Sequence, residues 1–267
     1  MYFLDQSFST PHENLAWDEA LIETADEIAS ESTSDASDWG GLEVLRVWQM
    51  PQPCVIVGRS SRVLEEVHVD RCEADGIPVL RRMSGGATIV AGPGCWMYSV
   101  LLSLDARPEC RSLDAAHRLV MERVHTGLAS ALSNCNVHVP IAIQGICDLT
   151  VHDRKISGNS LRVKRHWLMY HGTLLIDMPL EWISRYLATP PKQPEYREGR
   201  AHNEFVANLS DVVAECESFP SKLKLGLAES WGCHADWANH PWRSKMPEAI
   251  AGWMSRRYLD PAWHRSR

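Results

Sequence analysis

The sequence predicts an α+β fold, a central and mostly antiparallel sheet with flanking helices, and three observations carry that expectation. Short apolar runs punctuated by Gly, Pro and Asn cluster in two central stretches, 42–104 and 148–177. The longer helical patterns lie outside those stretches instead of alternating with them, which argues against a doubly wound parallel sheet. The chain has 267 residues, 45% of them hydrophobic, enough for one large or two small domains burying roughly three quarters of the unfolded surface. No interdomain linker is apparent, so a single domain over residues 1–267 is expected.

A first helix opens at Thr10-Pro11-His12-Glu13, a capping box with proline at the first helical position, and Leu15, Ala16, Trp17, Ala20, Leu21 and Ile22 carry it towards Ala29. The polar run Ser30–Gly41 has almost nothing to bury and reads as a surface loop. Strands at Leu42–Trp48 and Cys54–Gly58 flank Met50-Pro51-Gln52-Pro53 in a hairpin-like arrangement whose prolines forbid continuous pairing. A helix over Val63–Asp75 closes on Gly76, and Pro78 starts the strand Val79–Arg82. Met83–Leu104 then runs 22 residues without a charge, about the length that crosses a bilayer. Gly85-Gly86 and Gly92-Pro93-Gly94 divide it into two strands, Ala87–Ala91 and Trp96–Leu104, joined by a turn. An amphipathic helix follows over Leu113–Leu132, with Leu113, Ala116, Val120, Val124 and Leu128 on one face. Asp148–His152, Lys155–Val163 and Trp167–Asp177 read as a three-stranded meander. Beyond Pro179 helices are expected at Leu180–Leu187, Ser221–Trp231 and Pro247–Tyr258, with a Pro-rich loop at Thr189–Pro194.

Composition narrows the class. The formal net charge is −7, which opposes binding to a polyanion, and no nucleic-acid motif is present. The eight cysteines include no CxxC pair, so zinc ligation is not indicated and a reduced chain of scattered buried thiols is expected. The N-terminus lacks a basic segment before its short apolar opening, so a cytoplasmic protein without a secretory signal or membrane span is expected.

Two segments carry candidate chemistry. Arg81-Arg82-Met83-Ser84-Gly85-Gly86-Ala87 runs a strand into a glycine turn, where close backbone approach and two arginines suit an anionic group. A plain turn is the alternative reading. Asp148–Ser160 (DLTVHDRKISGNS) places Lys155 at the head of a strand ahead of Ser157-Gly158-Asn159-Ser160, where its ammonium would lie over a bound ligand unless it is a solvated turn residue. Five of the 13 residues from Arg154 to His166 are basic in a chain that is acidic overall, a local concentration that steers anions.

Together these segments resemble the lipoate-protein ligase A family of the biotin/lipoyl ligase and octanoyltransferase superfamily. The resemblance spans Asn14 to Leu209 and rests on NLAWDEAL (Asn14–Leu21), Val55–Arg59, RRMSGG (Arg81–Gly86), Tyr98-Ser99, Asp148–Ser160 and YHGTLLID (Tyr170–Asp177), in that order. It implies the biotin/lipoyl protein ligase catalytic-domain fold. It also implies an enzyme that activates lipoate or octanoate with ATP and Mg2+ to an acyl-adenylate, then passes the acyl group to one lysine of a lipoyl carrier domain. That carrier would be of the 2-oxoacid dehydrogenase E2 or glycine cleavage H protein type. By position, Lys155 matches the family's central lysine. Arg81, Arg82, Ser84, Gly85, Gly86 and Ala87 would wall the adenylate, and Ser157 and Gly158 would line the site beside Lys155. Asp148 matches an acidic residue near the adenylate and its Mg2+. His171 and Gly172 would shape the site floor, or His171 is a satisfied sheet histidine.

The chain departs from the family pattern at Ala87, where a third glycine is usual, at Ala91-Gly92 and Gly94-Cys95, where His-Asp and Gly-Asn are usual, and at Cys147, where asparagine is usual. These departures bear on nucleotide and metal contacts more than on the acyl pocket. The related octanoyltransferases suggest another reading, an ATP-independent transferase with a cysteine thioester on Cys147 or Cys95, whose thiol Lys155 or Arg81 would activate. A non-catalytic acyl-binding subunit is a third. Many such ligases carry a C-terminal accessory domain, whereas the family pattern here ends near Leu209. Residues 210–267 are therefore expected as a short helical extension, with an accessory polypeptide supplied separately or replaced by that extension.

Overall fold

The computed structural model describes residues 1–32, 36–190, 193–213 and 215–266. Residues 33–35 of the polar loop and 191–192 of the Pro-rich loop lie outside that set. The strands are β1 (Tyr2–Asp5), β2 (Val44–Gln49), β3 (Cys54–Val57), β4 (Val79–Arg81), β5 (Ile89–Ala91), β6 (Cys95–Ser103), β7 (Ile141–Gln144), β8 (Asp148–Val151), β9 (Arg154–Ser157), β10 (Asn159–Val163), β11 (Trp167–Leu175) and β12 (Ala235–Asp236). The α-helices are α1 (Pro11–Glu31), α2 (Val63–Glu66), α3 (Val69–Ala74), α4 (Leu113–Asn134), α5 (Glu181–Tyr186), α6 (His202–Phe205), α7 (Ser210–Val213), α8 (Phe219–Ser230), α9 (Met246–Trp253) and α10 (Pro261–Arg265).

Six strands form the main sheet in the order β10-β11-β6-β2-β1-β12, and two three-stranded sheets, β4-β3-β5 and β7-β8-β9, stand beside it. In the main sheet β6 runs antiparallel to both β11 and β2, while β1 is parallel to β2 and β12. The fold is thus α+β with a mainly antiparallel sheet. β6 and β11 pair from Trp167↔Ser103 to Leu175↔Cys95, and every residue of both is buried, as central strands covered on both faces require. One face carries α4 and α8, with Val120, Val124 and Leu128 in the core beneath them. The other carries α1, with Trp17, Leu21 and Ile22 packed against Leu101, Trp167 and Met169.

Helix α1 begins as its sequence dictates. Thr10 Oγ1 accepts from the Glu13 amide at 3.2 Å and a Glu13 carboxylate oxygen accepts from the Thr10 amide at 3.1 Å, a reciprocal cap worth about 1 kcal/mol. Among the described residues no helix is long and apolar enough to cross a membrane.

The strand pairing differs from the local reading in three places, each time because neighbours in sequence join different sheets. β2 and β3 are not a hairpin, since Pro51 and Pro53 lead the chain out of the main sheet into the small one. The strands expected on either side of Gly92-Pro93-Gly94 do not pair; β5 pairs with β3 and β6 enters the main sheet. The expected strand Lys155–Val163 breaks at Gly158, so β9 pairs with β8 whereas β10 pairs with β11, and the three expected segments do not form one meander.

Four further expectations are corrected. The helix expected over Val63–Asp75 divides into α2 and α3 where Val67 bridges to Leu187. The polar run after α1 ends in a 3-10 helix, Ala36–Leu42, whose Trp39 is buried against Trp167 and Trp242. The thiols are not all reduced, because a disulfide joins Cys135 at the end of α4 to Cys216 ahead of α8. Residues 210–267 are not helical throughout, because β12 closes the edge of the main sheet beside β1.

Candidate active site

The catalytic candidates converge where the small sheet β4-β3-β5 meets β9, β10 and β11. A cleft there has a cavity of about 90 Å³, with Leu15, Trp48, Ile56 and Met97 giving it an apolar end. Its polar end is formed by Lys155, Gly158, His171 and Gly172, and Arg82 and Ala87 border it from the glycine turn.

Lys155 reaches this cleft from β9. Its Nζ lies 2.8 Å from Asp148 Oδ1 on the neighbouring strand β8, and the other Asp148 oxygen accepts from the Tyr196 hydroxyl at 2.7 Å. The break at Gly158 makes room for the lysine, since a Cβ there would lie 2.8 Å from Lys155 Cε and 2.9 Å from Nζ. Gly172 clears space in the same way. A Cβ there would stand 1.7 Å from Asn159 Oδ1, which accepts from the Tyr98 hydroxyl, while Asn159 Nδ2 donates to the Cys147 carbonyl at 2.6 Å. Ser157 is buried behind this layer, its Oγ accepting from Asn159 at 3.2 Å.

The two arginines of the RRMSGG segment part company. Successive strand side chains leave on opposite faces, and only Arg82 faces the cleft. It is buried and organises the turn, donating to the carbonyls of Ile56 at 3.1 Å and Ala87 at 3.0 Å, to Gly85, and to Ser84 Oγ at 3.1 Å. Burial lowers its pKa to about 10, so it stays charged at neutral pH. Arg81 does not wall the site. It donates to the carbonyls of Gly58 at 2.7 Å and Ser61 at 2.9 Å, and to those of Trp263 at 3.2 Å and Ser266 at 2.5 Å, tying the C-terminal segment to the loop after β3.

His171 belongs to the cleft wall and to a buried polar chain behind it. Its Nε2 is 2.5 Å from Ser84 Oγ, and its Nδ1 is 3.5 Å from Asp18 Oδ2. Asp18 also accepts from Ser99 Oγ at 2.6 Å and pairs with Arg46 at 2.9 Å, and Arg46 donates to Asn14 Oδ1 at 2.6 Å. Burial alone would raise the Asp18 pKa, but the hydrogen bonds and charges of His171, Arg46 and Ser99 together hold it below its ordinary value. This chain was missed in the sequence. Its signal lay in Asn14 and Asp18, two polar residues four apart on an otherwise apolar helix face. Tyr196, which fixes Asp148 from a distant loop, left no local signal.

Neither candidate nucleophile has an activated thiol. Burial beside Asp148 outweighs Lys155 and pushes the Cys147 thiol up to about 11, while it donates to the Asn159 carbonyl at 3.5 Å. Cys95 is fully buried near Cys54, away from the cleft lining, and is pushed up to about 12. Asp148, the expected Mg2+ contact, has a partner on each oxygen, Lys155 on Oδ1 and the Tyr196 hydroxyl on Oδ2. Among the described residues no group of three or more His, Cys, Asp and Glu could hold a metal.

Known proteins share this arrangement of elements. The lipoate-protein ligase LplJ of Bacillus subtilis is 25% identical over 227 residues, 84% of this chain and 61% of that protein. A lipoate-protein ligase A solved with ATP superposes with a TM-score of 0.75 at 19% identity, covering 99% of this chain and 98% of the other. A bi-partite ligase from Thermoplasma acidophilum, described with its E2 lipoyl domain, gives 0.74 at 18% identity over 99% and 95%. At such identities these structures show a common fold. The chain spans only 35%, 58% and 61% of the length of three curated relatives. The model of the lipoyl protein ligase A/B catalytic domain matches residues 10–224, most of the chain. The chain therefore belongs to the lipoyl protein ligase A/B catalytic-domain family.

Proposed function

We propose that this chain activates lipoate, or octanoate, with ATP to an acyl-adenylate and transfers the acyl group to one lysine of a lipoyl carrier domain. The observation that carries this reading is Lys155, an ammonium set over the side-chain-free floor of Gly158 at the polar end of an apolar cleft. In the first step a carboxylate oxygen attacks the α-phosphorus of ATP and pyrophosphate leaves. Two anions must meet, and a fixed cation contacting both lowers their repulsion. In the second step the carrier amine attacks the acyl carbonyl, AMP leaves, and the amine's proton passes to solvent. The same ammonium stabilises the negative charge that develops on the carbonyl oxygen. Leu15, Trp48, Ile56 and Met97 would cover the acyl chain, and Arg82 would keep the turn at Ser84-Gly85-Gly86 in place by holding its carbonyls.

Among the described residues no cluster of His, Cys, Asp or Glu forms a metal cage, so Mg2+ would enter with the nucleotide phosphates and no step is assigned to it. A cysteine thioester fits less well, since the Cys147 thiol is held protonated. The bi-partite relative supports adding a separate accessory polypeptide to the proposal, and a cytoplasmic location is proposed with it.

Mass spectrometry of a lipoyl carrier domain incubated with the protein, lipoate and ATP tests this reading. A lipoyl mass gain on one lysine that requires ATP is expected. Supplying lipoyl-adenylate in place of lipoate and ATP separates a missing accessory chain from absent transfer. No gain under either condition, or a gain from octanoyl carrier protein without ATP, overturns the proposal.

A further inference from the structure

The main sheet ends on β10, and among the described residues no strand pairs with its outer edge. Beside that edge runs an open groove of about 530 Å³, bordered by Leu161, Arg162 and Val163 on one side and by Arg59, Gly85 and Trp263 on the other. Among the described residues its lining includes two arginines and no carboxylate. Neither Arg59 nor Arg162 makes an ion pair or a side-chain hydrogen bond among the described residues. Three of the other four basic residues of the cluster are paired. Arg154 faces Asp211, Lys155 faces Asp148, and Lys164 pairs with Glu23 at 2.8 Å. Arg59 and Arg162 thus place two unopposed guanidinium groups at one sheet edge of a chain whose net charge is −7.

We propose that this groove receives an extended, acidic segment of the carrier domain, laid against the β10 edge with carboxylates facing Arg59 and Arg162. The inference rests on the acceptor proposed above, and it names the surface that presents it. An unpaired edge offers backbone donors and acceptors that only another extended chain satisfies along its length, and flanking charges fix which chain and in which register. The position is suited to delivery. Ser160, adjacent to Leu161 on the same strand, lines the cleft and donates through Oγ to the Gly85 carbonyl at 2.8 Å, so groove and cleft share β10 and the glycine turn. A chain lying in the groove would bring its next residues to the cleft mouth. The overall negative charge of the protein disfavours an acidic partner elsewhere on its surface, so the arginines select this face.

The test titrates apo carrier domain into full-length wild-type protein and into Arg59→Glu, Arg162→Glu and the double variant, with binding followed by calorimetry. The double variant is expected to bind the carrier about tenfold more weakly and with less sensitivity to salt. With lipoyl-adenylate supplied, KM for the carrier should rise while kcat at saturating carrier holds. Replacing acidic residues near the carrier's acceptor lysine by lysine should restore binding to the double variant. Unchanged carrier binding overturns the proposal, as does a loss of affinity for lipoyl-adenylate, which would make the groove part of the small-molecule site. Should wild type bind the carrier but transfer nothing, weaker binding by the variants upholds the docking surface and counts against the enzymatic reading alone.

Discussion

Two aspartate–cation pairs in this chain have nearly the same length and opposite surroundings. Asp18 and Arg46 approach to 2.9 Å with side chains 3% and 0% exposed, whereas Asp148 and Lys155 approach to 2.8 Å with side chains 11% and 27% exposed. The inner pair is surrounded by partners. Asn14, Ser99 and His171 share its atoms, and the Arg46 guanidinium lies 4.7 Å from the Trp17 ring and 4.4 Å from that of Trp48. The outer pair has Tyr196 behind it and the cleft in front. Distance alone therefore says little about what a charged pair does. Arg46 is a strut binding α1 to β2 and β6, whereas Lys155 borders an open cleft, as the role proposed for it requires.

The largest effect expected from this contrast is on folding. Asp18→Ala leaves the Arg46 charge buried without its carboxylate and should cost about 3–5 kcal/mol, read from urea unfolding midpoints. A loss below about 1 kcal/mol would show that the inner pair is no strut. Lys155→Ala should have a similar energetic effect in a different quantity, lowering carrier modification by about 10²–10³, or roughly 3–4 kcal/mol of transition-state stabilisation, with little change in unfolding. Lys155→Arg should rescue poorly, because a planar guanidinium does not place its charge where the ammonium sits. Gly158→Ala comes next. The added Cβ must displace the lysine end it meets at 2.8 Å, and a misplacement of that kind should reduce transfer by about 10- to 10²-fold without unfolding the protein. Asp148→Asn should change stability least, by about 1 kcal/mol or less, since a partly exposed pair is weakened by solvent.

Acid separates the two regions as well. The folded-state pKa of Asp18 lies below its ordinary value, so its contribution is complete above the unfolded aspartate pKa of about 3.9 and is lost as pH falls through the depressed folded value. Unfolding midpoints of wild type should therefore drop more steeply below that pH than those of Asp18→Asn. Parallel acid limbs would contradict the assignment of Asp18 as a charged strut.

The same contrast explains what could be read from the sequence. Local signals located α1, the apolar strands β6 and β11 and the glycine turn, because a capping box, a charge-free run or a short motif is written in adjacent residues, whereas Lys155 stands out through the resemblance to the family. What escaped depends on separation. Pairing of β5 with β3 and of β10 with β11 is decided by sheets whose members lie far apart, and the break at Gly158 became visible only with Lys155 folded over it. Arg81 and Arg82 are neighbours and read alike in the sequence, yet strand alternation turns Arg82 to the cleft and Arg81 to the C-terminal segment. The Cys135–Cys216 disulfide joins residues 81 apart, beyond any spacing rule applied to the chain.

The most direct test of the account measures single-turnover transfer from supplied lipoyl-adenylate to a carrier domain by wild type and Lys155→Ala, with thermal unfolding recorded on the same samples. The account predicts that transfer falls by about 10²–10³ while the two unfolding curves coincide. Equal transfer rates, or a loss matched by a destabilised fold, would contradict it.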